Sequence, residues 1–157
     1  MTIEVKPIGY VIADRQDPED DFWGATESCI ALTDSYGADA LDGIDSFSHV
    51  EILFLFHQVM PNKVVTGARR PRNNPDWPSV GIFAQRAKNR PNRLGSTICR
   101  VVRRETTRLY VAELDAIHGT PVIDIKPVMT ELLPRSEIVQ PQWSRELMQQ
   151  YWHKAVP

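Results

Sequence analysis

"STICRVVRRETTRLYVAELDAI" (residues 96–117) holds two runs rich in β-branched and apolar residues, 96–105 and 107–117, with almost nothing between them. Residues of this kind favour a pleated, half-buried backbone. Two such runs in direct succession predict a hairpin that reverses near Glu105–Thr107. The same signal recurs outward along the chain. "IEVKPIGYVIA" (3–13) is β-rich, with Pro7 marking an edge or a bulge. "ESCIALT" (27–33) alternates, with Cys29, Ala31 and Thr33 on one side and Ile30 and Leu32 on the other. "HVEILFLFH" (49–57) is nearly continuous apolar sequence and predicts a strand buried on both faces or at an interface. "VGIFAQ" (80–85) is a short run, and "TPVIDIKP" (120–127) alternates Val122, Asp124 and Lys126 against Ile123 and Ile125. Many short strands with Pro and Gly punctuation predict a mainly β domain, either a barrel or a sandwich.

Two segments read as helix. "SYGADALDGI" (35–44) is short, with Gly43 as its stop. "PQWSRELMQQYWHK" (141–154) starts after Pro141 and repeats Trp143, Leu147 and Tyr151 at helical spacing, with Met148 and Trp152 beside them. That stripe packs either onto its own domain or across a dimer seam. Residues 58–79 form a long irregular stretch with prolines at 61, 71, 75 and 78. A loop of this length inside a compact domain is functional or disordered.

A chain of 157 residues suits one domain and is too short for two ordinary ones. Its 42% apolar and 24% charged residues are those of a soluble globular protein, and no apolar run approaches a membrane span. The N-terminal sequence has early acids and no cleavable apolar segment, so no secretory signal is expected. Cys29 and Cys99 form no Cys-x-x-Cys pair and have no metal-like spacing to a histidine. A cytoplasmic, disulfide-free protein is the simplest expectation, with a disulfide left open.

The net charge of −2 hides segregation. Residues 1–50 contain eleven acids and two bases, Lys6 and Arg15, whereas residues 69–108 contain eleven bases and two acids, Asp76 and Glu105. Either the two blocks pack together and cancel, or the basic block makes a face for phosphate, nucleic acid above all.

Several familiar sites are missing. No Gly-x-Gly-x-x-Gly follows a strand, and neither a phosphate-binding Gly-x-x-x-x-Gly-Lys-Ser/Thr loop nor a Gly-x-Ser-x-Gly elbow occurs. His49 and His57 stand about 27 Å apart on one strand, so no metal site is expected. Three constellations remain. "FSHVEILFLFHQ" (47–58) has polar groups at the ends of an apolar strand. "RAKNRPNRLGS" (86–96) is a basic loop in which Pro91 breaks a helix and Gly95 permits close backbone approach. "LDAIHGTPVIDIKP" (114–127) places a tight Gly119-Thr120-Pro121 turn between Asp115 and Asp124. Each alone reads equally as a strand end, a solvated loop or a hairpin connection.

Together, in this order and spacing, "GIDSFSHVEILFLFH", "GIFAQRAKNRPNRLGST" and "LDAIHGTPVIDIKP" resemble the TsaA-like family, also called YaeB-like or VirR-like, over about residues 6–130. The Arg-Pro-Asn-x-x-Gly and Gly-Thr-Pro-Val-x-Asp-Ile-Lys-Pro motifs carry the resemblance. It implies a small single-domain β-barrel (1–140), followed here by a C-terminal helix and tail (141–157). It also implies S-adenosylmethionine bound without a Rossmann sheet, near the seam of a homodimer. The implied activity is methylation of the N6 nitrogen of threonylcarbamoyl-adenosine in the tRNA anticodon loop.

Residue by residue, the resemblance puts His57, Gln58, Arg86, Ser96 and the turn His118-Gly119-Thr120-Pro121 against the cofactor. Phe22 and Trp23, in "DDFWG", stand where other members have a Pro-Arg-Gln-Pro-Gly-like segment, and are expected as aromatic walls. Two departures stand out: the family's Asp is His118 here, and the Pro after Arg-Pro-Asn is Arg93. Methyl transfer from a sulfonium needs alignment more than an acid. A carbamoylated adenine nitrogen is a poor nucleophile, so a base would help; Asp124 and His118 are the candidates, and Asp124 is equally readable as structural. Lys88, Arg90 and Arg93 are expected on phosphate or on the threonyl carboxylate, and Asn92 either reads a base edge or caps the turn. The larger tRNA-modifying members carry an additional C-terminal domain, which leaves the acceptor open. The alternatives are a non-catalytic RNA-binding barrel and a methyltransferase for a small acceptor.

Overall fold

The computed structural model describes residues 1–156. Strands β1 (Gly9–Ile12), β2 (Glu27–Leu32), β3 (His49–Leu55), β6 (Leu94–Glu105), β7 (Arg108–Ala112) and β8 (Pro121–Pro127) close into an antiparallel barrel in the order β1-β2-β7-β6-β3-β8. The expected barrel is therefore present. Two-residue strands β4 (Ala68–Arg69) and β5 (Val80–Gly81) pair separately, inside the long β3–β6 connection.

The expected hairpin forms: β6 and β7 reverse at Thr106, which takes φ +50°. β6 is long because it serves two neighbours. Its first half pairs with β3 from Leu55↔Leu94 to His49↔Arg100, and its second half pairs with β7. After Ala112 the chain leaves the ladder at Glu113 (φ +63°), and Leu114 and Ala116 turn inward to plug one end of the barrel. The core they close contains Val11, Ile30, Val50, Ile52, Phe54, Leu109, Val111 and Val122, all nearly inaccessible.

Two expectations change in detail. β3 is buried on one face and half-buried on the other, so Val50, Ile52 and Phe54 point inward while Glu51 and Leu53 line the outer wall. In β8 the simple alternation fails because the register slips between Leu53↔Asp124 and Phe54↔Val122. This bulge lets Val122 and Ile125 both reach the core and leaves Asp124 outside.

The helical expectations shrink. Residues 35–44 form a 3₁₀ turn at Ala38–Leu41, and Gly43, at φ +84°, separates it from a second at Ile44–Ser46. The C-terminal helix α1 spans only Gln142–Leu147. Beyond it the chain unwinds, and the carbonyls of Gln150, Tyr151 and His153 accept the backbone N–H groups of Phe22, Trp23 and Gly24. Pairing to that loop replaces the continued helix. Of the expected stripe, Trp143, Leu147 and Tyr151 are half-buried, while Met148 and Trp152 stay exposed.

Two outcomes follow from this packing. A methyl group on Gly95 would stand 2.5 Å from Phe54 Cε2 and 2.9 Å from Phe56 Cζ, so Gly95→Ala should cost about 1–3 kcal/mol in urea unfolding. Both cysteines are free and buried, and burial followed by the charges of Asp115 and Glu113 pushes the Cys99 thiol far up. Cys99 should therefore resist alkylation in the folded protein at pH 8 and react on unfolding.

Candidate functional site

Antiparallel closure gathers one set of strand ends at a single rim: the ends of β1, β3 and β7 and the starts of β2, β6 and β8. Three connections therefore meet there, 13–26, 56–93 and 113–120. Almost every sequence-predicted site residue lies on them or on the first residues of the strands they feed. Asp124 is the exception.

The Gly119 corner is built from backbone. Gly119 takes φ +81°, which a glycine adopts freely. Its N–H donates to Val11 O at 2.8 Å, His118 N–H donates to Arg15 O at 2.8 Å, and Thr120 is buried. A methyl group on Gly119 would find only His57 Nε2, 3.8 Å away, so the corner faces open space beside His57. His118 is exposed, and its Nδ1 accepts the Ala13 N–H at 3.4 Å.

The opposite wall is built from β6 and the basic loop. Arg86 Nη2 donates to Ser96 O at 2.7 Å, and Ser96 Oγ donates to Glu51 Oε1 at 2.7 Å. Buried Gln85 ties the loop's start by donating to Arg69 O and Val80 O. Arg90 Nη1 donates to Gln85 O at 2.6 Å and Arg93 Nη1 to Val59 O at 2.7 Å, so both arginines shape their own loop. Asn92 and Arg93 take φ +63° and +52°. Asn tolerates this left-handed region, which fits a turn position.

Two placements differ from the sequence reading. Trp23 is not an open aromatic wall: it is 5% exposed, and the Arg15 guanidinium covers its face at 3.8 Å. Only part of it reaches a cleft of about 280 Å³ shared with Arg15, Thr26, Ser28, Leu114 and Ala116. Phe22 beside it takes φ +67° and gives its carbonyl to Arg15 Nη2. Asp124 lies on the outer wall beside Leu53, with its carboxylate on Lys126 Nζ at 2.6 Å and on the Ile125 N–H.

Sequence reasoning missed two groups. Arg15 stands against the His118 corner through its carbonyl, with Gln16 next to it in sequence, and "DRQDP" (14–18) fits the Pro-Arg-Gln-Pro-Gly-like segment better than "DDFWG" does. The Arg-Gln pair was the available signal. Asp115 accepts hydrogen bonds from Thr97 Oγ1 and from Tyr151 OH of the C-terminal segment. No local pattern links residues so far apart.

The charge blocks cancel in part. Arg72 makes a paired bond to Asp21, with both contacts at 2.9 Å, Arg103 reaches Glu27 and Arg104 reaches Asp42. What stays positive at the rim is the basic loop with Arg86 and Lys88.

The chain matches the family model of the tRNA-methyltransferase O N-terminal domain over residues 16–132. It is 39% identical over 103 residues to the tRNA (adenine(37)-N6)-methyltransferase of Escherichia coli, covering 62% of this chain and 43% of that protein. A Methanothermobacter thermautotrophicus protein named a probable S-adenosyl-L-methionine-binding protein is 35% identical over 139 residues, 84% of this chain and 94% of its own length. A crystal structure of TrmO from Pseudomonas aeruginosa superposes with a TM-score of 0.73 at 29% identity, covering 91% of this chain and 62% of that one. The chain thus spans less than two thirds of the longer relatives. The motif loops, the closed barrel that brings them to one rim and the match over most of the chain agree: it belongs to the family of the tRNA-methyltransferase O N-terminal domain.

Proposed function

We propose that this barrel binds S-adenosylmethionine at the rim between His57, Arg86 and the Gly119 corner and transfers its methyl group to tRNA, at the N6 nitrogen of threonylcarbamoyl-adenosine in the anticodon loop. The observation that carries the reading is the meeting of the three motif loops at one rim, with Gly119 open toward His57. Family membership and the printed names of the relatives support it.

The residues present fit such a donor. Gly119 leaves room for close approach to a backbone turn, exposed Gln58 supplies a polar contact at the same rim, and Ser96 and buried Thr120 hold the backbone on either side of it. When bound, the cofactor supplies a methyl group on a sulfonium whose neutral thioether leaves without an acid. The chain's own part is alignment of the accepting nitrogen. Of the two base candidates, His118 lies at the corner. With Nδ1 accepting the Ala13 N–H, a neutral ring carries its proton on Nε2, so His118 serves to orient the acceptor as a donor and the proton lost from N6 passes to solvent. Asp124, paired with Lys126 on the outer wall, serves as the structural one of the two.

Lys88 and the remaining N–H groups of Arg90 and Arg93 meet phosphate, with Asn92 holding their turn. Exposed Phe83 and Leu94 beside the rim, with exposed Ile98 further along the outer wall of β6, support a homodimer with the cofactor near its seam. Residues 1–140 act as the barrel unit, with 141–157 as its C-terminal helix and tail. A tRNA substrate fits a cytoplasmic protein. A second reading, the same cofactor with another acceptor, is favoured by the Methanothermobacter relative, which has a similar length and is named for cofactor binding alone.

Tritium from labelled S-adenosylmethionine should pass to bulk tRNA from cells lacking this protein; cofactor binding without transfer would favour the second reading. Arg86→Ala, which cuts the tie to Ser96, should weaken cofactor binding about ten-fold by calorimetry. Lys88→Ala should lower the salt dependence of tRNA affinity by about one phosphate contact while sparing the cofactor.

A further inference from the structure

One residue of the C-terminal segment, Tyr151, bonds the 13–26 connection through its carbonyl and Asp115 of the 113–120 connection through its phenol. The Trp23 N–H donates to Tyr151 O at 2.8 Å, flanked by Phe22 N–H to Gln150 O and Gly24 N–H to His153 O, both at 3.2 Å. Only glycine allows this approach at position 24, because a Cβ there would stand 2.0 Å from Trp152 O. Trp23 lies under the Arg15 guanidinium, and Arg15 O receives the His118 N–H. This path leads to the Gly119 corner. The Tyr151 phenol points the other way and donates to Asp115 Oδ2, while Asp115 Oδ1 accepts from Thr97 Oγ1. Thr97 follows Ser96, whose carbonyl holds Arg86. Burial, then the negative charge of Asp115, pushes the Tyr151 phenol up, so it stays protonated and remains a donor.

We propose that Tyr151 is a positioning residue that fixes the spacing between the Arg86–Ser96 wall and the His118–Pro121 corner, acting through Asp115 on one side and Trp23 on the other. The inference rests on the reading that this rim binds S-adenosylmethionine. Tyr151→Phe keeps the aromatic ring and the backbone pairing and removes only the phenolic donor. Asp115→Asn weakens the same link from the barrel side. Trp77→Phe is the control: it cuts the bond from Trp77 Nε1 to Glu146 Oε2 at 2.7 Å, a second tether of the same segment that involves neither Asp115 nor Trp23.

The test is calorimetric titration of the full-length variants with S-adenosylmethionine, joined to steady-state kinetics on tRNA. Tyr151→Phe should raise the cofactor Kd and KM about ten-fold with kcat at saturating cofactor within about two-fold. Asp115→Asn should do the same, and the double variant should lose no more than either alone. Trp77→Phe should bind within about two-fold of the parent. Parental affinity in Tyr151→Phe, additive losses in the double variant, or an equal loss in Trp77→Phe would each overturn the proposal while leaving the cofactor reading intact. A parent protein that does not bind S-adenosylmethionine would overturn that reading, and this proposal with it.

Discussion

Strand β3 is hydrogen-bonded to β6 along one edge and to β8 along the other, and the candidate site depends on that double pairing. Leu53 stands between Ser96 on β6 and Asp124 on β8, while Leu55 at the strand's end pairs with Leu94. The residue two beyond that end, His57, therefore falls beside the connection that enters β8, where Gly119 turns. Segments far apart in sequence are thus brought together by ladder registers that the apolar core enforces. A one-residue slip in either register would turn Phe54 and Ile52 out of the core, so the same burial that stabilises the barrel fixes the rim.

The rim is organised by arginines used as donors to backbone. Arg15, Arg90 and Arg93 each give a guanidinium hydrogen to a carbonyl of their own connection, and Arg86 gives one to Ser96 O of β6. Loops without regular structure must satisfy their backbone groups, and a planar guanidinium with several donors does so while keeping others free. The basic block serves three purposes: it neutralises the acidic N-terminal block through Arg72, Arg103 and Arg104, it shapes the loop around Pro91, and it keeps cationic groups near the opening. The surface pairs themselves contribute little to stability.

Much of this was legible from residues alone. The hairpin at 105–107, the apolar run 49–57 and the three motif loops are local patterns of spacing and turn chemistry; they carried the mainly β class and the family resemblance, and the resemblance carried the barrel. What escaped was set by long-range pairing. The bulge opposite Leu53 reverses the facing of Asp124, and nothing within "TPVIDIKP" announces it. The C-terminal helix stops at Leu147 because carbonyls further on find partners at Phe22–Gly24, 128 residues away in the case of Trp23 and Tyr151. Trp23 looked like an open aromatic and is covered by Arg15, a contact between loop residues that no periodicity encodes. Asp115 was visible as a carboxylate near the turn, and its partners Thr97 and Tyr151 were not.

The most direct test of a single-rim site is the amide NMR spectrum of the full chain during titration with S-adenosylmethionine. The account predicts shifts concentrated at Gln58, Ser96, Gly119 and Thr120, with Thr33, Ser48, Thr106 and Val128 at the opposite end of the barrel unmoved. Shifts centred on that opposite end, or spread along the outer wall without the Gly119 corner, would contradict it.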